Sequence, residues 1–221
     1  IADQHERAAT FMAKWSMDAA GSSCHLHTSL WDAATDTPLM APAEGTTTPS
    51  GFSEVGAAWL AGQLYAADQL AWCFAPYLNS YRRYVPDSWA PTAVLWGEDN
   101  RTCGFRAVGH GAGRRVENRI PGADVNPYIA LAAAIAGGLW GIDHGLELEP
   151  AFTGNAYRTP GVPSIPTTLP EAIAGLEASE VAAEAFGPDV HHHLVNTARQ
   201  EWAKANAAVT DWELARNFER I

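Results

Sequence analysis

The run Arg114-Arg115-Val116-Glu117-Asn118-Arg119-Ile120 decides how the rest of the chain reads. Successive side chains of a strand point to opposite faces, so Arg115, Glu117 and Arg119 fall together and Val116 and Ile120 fall behind them. One face is charged and the other is apolar, which describes a strand with its back on a core and its front on a site. Upstream, Ser23-Cys24-His25-Leu26-His27-Thr28-Ser29-Leu30 alternates in the same way. It sends His25, His27 and Ser29 to one side and Cys24, Leu26, Thr28 and Leu30 to the other. Between these runs, Thr92–Trp96 and Thr102–Val108 also read as strands. The polar Gly97-Glu98-Asp99-Asn100 turn separates them, and so short a link predicts antiparallel pairing.

Helical patterns surround the strands. Ser53–Phe74 is Ala-rich and opens with a Ser before Glu54, and Asn126-Pro127 places a capping residue and a first-turn proline at the head of an Ala/Gly-rich helix, predicted as buried. The sheet and buried helix occupy 1–149, a Pro-rich connector follows over 150–170, and helical patterns fill the end of the chain, 171–221. The expected class is α+β, an antiparallel β-sheet flanked by helices with a helical C-terminal segment.

Composition narrows the function. The 221 residues are 47% hydrophobic and 18% charged, enough for a packed core, and the formal net charge of −11 argues against nucleic acid or anionic lipid as partner. The three cysteines, Cys24, Cys73 and Cys103, are widely spaced and form no CxxC pair, which fits a cytoplasmic setting. Ile1–Arg7 has neither the basic start nor the apolar stretch of a signal peptide, and the start at Ile reads as that of a piece of a longer protein. Neither a GxGxxG nor a GxxxxGK[ST] loop is present.

Within this acidic chain lies a basic island. Seven of the twelve arginines fall between Arg82 and Arg119, against four acids in the same span. Arginine in preference to lysine is the choice for planar, bidentate recognition of phosphate and carboxylate. Two histidines and a glutamate on strand faces beside such arginines read as a site for a divalent metal carrying phosphate. The plainer readings are a pair of hydrogen-bonded sheet histidines and a salt bridge from Glu117 to Arg115 or Arg119. A two-histidine, one-carboxylate iron site is a rival, but leaves the arginines without a task. The triplet His191-His192-His193 lies in a helical pattern, where neighbours point about 100° apart and cannot share a ligand face. His110 sits in the Gly109–Gly113 loop, a flap or a flexible hairpin end, and Trp89 lies in a Pro-bounded loop where a substrate can touch it.

These residues resemble, in order, the motifs of the glutamine synthetase family. They are Phe11-Met12-Ala13-Lys14, Gly21-Ser22-Ser23-Cys24-His25-Leu26-His27-Thr28-Ser29-Leu30, Asn79-Ser80-Tyr81-Arg82-Arg83 with Val85-Pro86, Asn100-Arg101 with Arg106, Arg114 to Arg119, and Asn126-Pro127-Tyr128. The resemblance covers residues 8 to 145 and implies the C-terminal part of that family's catalytic domain. It implies an ATP-dependent ligase that phosphorylates the side-chain carboxylate of glutamate and passes the glutamyl group to an amine. It makes His25 and Glu117 ligands of a Mg2+ (or Mn2+) ion among the ATP phosphates, and places His27, Ser29, Arg101, Arg106 and Arg115 on the nucleotide. Gly21, Arg83 and Arg119 go to glutamate, and Arg101 and Arg119 to the transferring phosphoryl group. It puts the remaining metal ligands upstream of residue 1 and implies a homo-oligomeric ring.

Two positions depart from the ammonia-using members. Trp89 stands where they carry a glutamate, and Ala20 where they usually carry an asparagine before the glycine. An indole in place of a carboxylate removes the charge that favours a small cation and offers an aromatic wall. The expected acceptor is therefore a larger amine, a polyamine or amino alcohol, as in the gamma-glutamylpolyamine synthetase-like branch. A true glutamine synthetase and a non-catalytic metabolite-binding homologue are the alternatives.

Overall fold

A computed structural model describes residues 1–220. A four-stranded sheet forms from β1 (Leu26–Thr28), β2 (Trp96–Glu98), β3 (Phe105–Val108) and β4 (Arg115–Asn118), in the order β1-β4-β3-β2. β4 pairs antiparallel with both β1 and β3, and the register sets Glu117 opposite His27 on one side and Arg106 on the other. One face of the sheet thereby gathers the charged residues of three strands. The other face is closed by Phe105, Val116 and Ile120, all fully buried.

The link between β2 and β3 corrects the expected antiparallel pairing, because the two strands run parallel with Trp96 opposite Phe105. Asp99 adopts a left-handed backbone (φ 48°). Asn100 Oδ1 then accepts from the Thr102 amide at 3.0 Å and hydroxyl at 2.7 Å, so the chain doubles back before it re-enters the sheet. Residues 92–95 stay outside the strand and bridge the connector instead, with Ala93 opposite Ser164.

The predicted helix over 53–74 is two pieces, α1 (Glu54–Tyr65), capped by Ser53 Oγ accepting from Gly56 N at 3.0 Å, and α2 (Ala71–Phe74). Asn126 caps α3 (Pro127–Asp143) as its sequence requires. α3 is only half buried: Ala130, Ala133, Ala134, Gly137 and Gly141 face inward, whereas Tyr128, Leu131, Ile135 and Leu139 are exposed. Small residues on the inner face let the α3 backbone approach α1 closely, and the bulky apolar ones are left on the outer face. A Cβ on Gly62 of α1 would lie 2.6 Å from Gly141 Cα.

The connector carries one short turn, Ala156–Arg158, and leads to α4 (Leu169–Glu177), α5 (Glu180–Asn206) and α6 (Asp211–Asn217). The Thr168/Glu171 capping box starts α4, and Gly187 (φ 74°) followed by Pro188 kinks α5. No helix among the described residues is long and apolar enough to cross a membrane.

Candidate active site

Glu117 is the hub of the charged face. Its side chain is 5% exposed. Oε1 accepts from Arg119 Nη1 and lies against His25 Nδ1, each at 2.9 Å, and Oε2 accepts from Arg106 Nη1 at 2.9 Å. Burial alone raises a carboxyl's pKa; here the hydrogen bonds from His25 and Arg106 and the charge of Arg119 outweigh it and hold Glu117 down at about 2. His27 Nε2 stands 3.9 Å from the same Oε1. Arg115 Nε donates to His27 Nδ1 at 3.2 Å, which leaves the His27 proton on Nε2. Burial lowers the His27 pKa, with Glu117 opposing, so that ring is neutral near pH 7.

His25, His27, Arg115, Glu117 and Arg119 are thus brought together as the alternation predicts. Of the two partners open to Glu117, Arg119 is the one it takes, and Arg106 from the neighbouring strand joins it. Arg101 and Arg115 are exposed and form no ion pair among the described residues. Arg101 and Trp89 line a common cavity of about 450 Å³. Trp89 is 64% exposed and sits at φ 62°, a strained backbone for a bulky residue, while its carbonyl accepts from Arg119 Nη2 at 3.1 Å. The Arg119 side chain therefore joins the Glu117 carboxylate to the Trp89 loop.

Arg83 is placed differently from an open binding group. It is 3% exposed, and its Nη2 donates to the carbonyls of Arg119 at 3.2 Å, Ile120 and Pro121 at 3.0 Å, gripping the chain as it leaves β4. Gly21 lies on its stem: a Cβ there would come within 2.8 Å of Arg83 Cγ. Ser29 is exposed and its Oγ accepts from Trp31 Nε1 at 3.1 Å. His192 and His193 are exposed on α5, and His191 is bound to the Leu176 carbonyl at 2.6 Å, so the triplet forms no ligand face.

Sequence reading missed two residues that hold this face. Asp99 accepts from Arg106 Nε at 2.8 Å and fixes its guanidinium from the far side, which its place in a polar turn did not disclose. Arg114, on the core side of its strand, is buried against Glu98 at 2.6 and 2.8 Å, the Ser50 carbonyl at 3.0 Å and the Phe52 ring at 4.0 Å. It ties the Gly109–Gly113 flap down, with Nη1 3.3 Å from the Gly109 carbonyl. Its opposite parity to Arg115 was the available signal.

The donor set suits a divalent ion in part: His25 Nδ1 and Glu117 Oε1 are hydrogen-bonded at 2.9 Å, and an ion held between them would take the place of that proton. No group of three or more His, Cys, Asp or Glu able to hold a metal occurs among the described residues. Water, substrate oxygens or other residues would complete the shell of a Mg2+ ion here.

Residues 1–217 match the glutamine synthetase catalytic domain. The chain is 50% identical over its full length to the gamma-glutamylethanolamide synthetase GlnA4 of Streptomyces coelicolor, covering 46% of that protein. It is 41% identical to the glutamate–isopropylamine ligase of a Pseudomonas species, again over its full length and covering 48%. It is 35% identical to the glutamine synthetase of Mycobacterium tuberculosis, over 93% of this chain and 48% of that one. Among solved structures, GmaS without ligand superposes with a TM-score of 0.85 at 30% identity, over 99% of this chain and 50% of that one. The GmaS/ADP complex gives 0.86 at 29%, over 98% and 50%. The chain spans about half the length of the curated relatives it matches. It belongs to the glutamine synthetase catalytic-domain family.

Proposed function

We propose that the protein of which this chain is part is an ATP-dependent glutamate–amine ligase whose acceptor is an amine larger than ammonia. In this reading a side-chain carboxylate oxygen of glutamate attacks the γ-phosphorus of ATP and ADP leaves. The amine nitrogen, having given up a proton, then attacks the acyl carbon and phosphate leaves. Phosphoryl transfer asks a protein for positioning and charge neutralisation above all, and the Arg101, Arg106, Arg115 and Arg119 face supports that task. His25 and Glu117 would hold a Mg2+ ion, which when bound offsets phosphate charge. Arg101 and Arg119 would bear on the transferring phosphoryl group, His27, Ser29 and Arg115 on the nucleotide, and Gly21 and Arg119 on glutamate, while Arg83, spent on the carbonyls of Arg119, Ile120 and Pro121, would hold the chain behind them. The outer stripe of α3, with Tyr128 83% and Ile135 48% exposed, supports a homo-oligomeric assembly in the complete protein.

Trp89 carries the choice of acceptor. Its indole stands where ammonia-using members have a carboxylate, and it is exposed at the mouth of the Arg101 cavity. Two relatives, one named for an ethanolamide product and one for isopropylamine as the amine it ligates, support the same class. The test is phosphate release by the complete enzyme with glutamate, ATP, Mg2+ and a panel of ammonia, ethanolamine, isopropylamine, putrescine and spermine. A larger amine should exceed ammonia, and Trp89→Glu should shift the preference toward ammonia by about tenfold or more. Release with ammonia above all others would make the enzyme a glutamine synthetase and overturn the reading.

A further inference from the structure

The connector is stitched to the site at several points. The Phe152 amide donates to the Trp96 carbonyl at 2.8 Å, and Asn100 Nδ2 donates to the Gly154 carbonyl at 3.0 Å. The Ala156 amide donates to Thr102 Oγ1 at 3.0 Å. Further on, Tyr157 Oη donates to the Ala90 carbonyl at 2.9 Å, one residue past Trp89, and Arg158 pairs with Asp87 at 3.2 Å. Gly97 has to be a glycine for this docking, since a Cβ there would lie 2.8 Å from the Phe152 carbonyl. The result is that Phe152-Thr153-Gly154 is fixed as part of the lining of the cavity of about 450 Å³ that Trp89 and Arg101 also line. Thr153 is exposed, and its hydroxyl makes no hydrogen bond among the described residues.

We propose that Phe152–Gly154 and Trp89 together form the pocket that selects the acceptor amine, and that it takes a short alkylamine carrying a hydroxyl on its tail. The inference rests on the ligase reading and adds its specificity-determining residues. Trp89 supplies an aromatic wall for the alkyl stem, where apolar area is removed from water. The Thr153 hydroxyl is a donor and acceptor for the tail oxygen. The two acids at the rim, Glu98 and Asp99, are already bound to Arg114 and Arg106, so charge on the walls contributes little to holding the amine.

The test uses the complete enzyme and compares ethanolamine with n-propylamine, which replaces the hydroxyl by a methyl at equal length. Thr153→Val keeps the side-chain shape and should lower the ethanolamine-to-propylamine ratio of kcat/KM by roughly fivefold, the effect of one hydrogen bond. Thr153→Trp fills the pocket and should raise KM for both amines by about tenfold or more, with KM for glutamate unchanged. Thr153 is exposed, so neither variant threatens folding. A wild-type enzyme that uses a larger amine, with both variants leaving amine KM and the ratio unmoved, would overturn the pocket and leave the ligase reading intact. A wild-type enzyme that uses ammonia alone would overturn both.

Discussion

Replacing Glu117 by Gln keeps the shape of the hub and removes its charge. Two estimates of the cost agree. The fall of the Glu117 pKa from its ordinary 4.5 to about 2, at about 1.4 kcal/mol per tenfold change in proton affinity, gives about 3 kcal/mol. Removing one partner of a buried ion pair costs about 3–5 kcal/mol, and Arg119 and Glu117 are both 5% exposed at the side chain. The pKa is depressed on folding, so this stabilisation is fully present above pH 4.5 and is lost as pH falls through about 2. Urea unfolding of the complete enzyme followed by tryptophan fluorescence should therefore show a midpoint about 1 M lower for Glu117→Gln at pH 7, for a slope of about 3 kcal/mol per molar. The gap should narrow between pH 4.5 and 2. A variant with the wild-type midpoint at pH 7, or a gap that does not change with pH, would refute the account of Glu117 as a charge hub.

Two predictions concern the scaffold. Gly62→Ala would set a methyl 2.6 Å from Gly141 Cα and force α1 and α3 apart, at a cost of about 3 kcal/mol, visible as a lower urea midpoint. Thr168→Ala removes the acceptor for the Glu171 amide at the start of α4; the expected loss is about 1 kcal/mol, read the same way, with amine preference unchanged.

The charged face was legible because strand alternation is a strict code. Once Val116 and Ile120 are given to the core, Arg115, Glu117 and Arg119 have nowhere to go but the front, and His25 and His27 follow by the same count. The caps at Ser53 and Asn126 were legible for a similar reason: each satisfies a local backbone donor, within three residues. What alternation does not report is strand direction across a turn. The parallel β2–β3 pair depends on Asn100 folding the chain back through Thr102, a side-chain event with no periodicity. Nor does it report how deep a helix lies, and the Ala/Gly content of α3 marked close approach to one neighbour rather than burial on all sides. The connector was opaque because it is held through backbone carbonyls, Trp96, Ala90 and Gly154 among them, and any residue supplies a carbonyl.

The charge of the face bears on how an amine is accepted. Arg101, Arg106, Arg115 and Arg119 set four positive charges against Glu117 and Asp99, with His27 neutral. A positive cleft in a chain of net charge −11 concentrates anions where the chain as a whole repels them, which suits the anionic substrates of the proposed reading. It is a poor place for an ammonium ion, and a carboxylate at position 89 would offset that. Trp89 does not, so an amine entering here is pressed to give up its proton, because nearby positive charge disfavours the cationic form. On the proposed reading the neutral amine is the nucleophile that glutamyl transfer needs. Ammonia stripped of its charge has only its hydrogen bonds left to bind with, whereas an alkylamine adds a stem that can be buried at about 25 cal/mol per Å². On the proposed reading, the indole at 89 removes the attraction for the cation and rewards the alkyl stem in the same exchange.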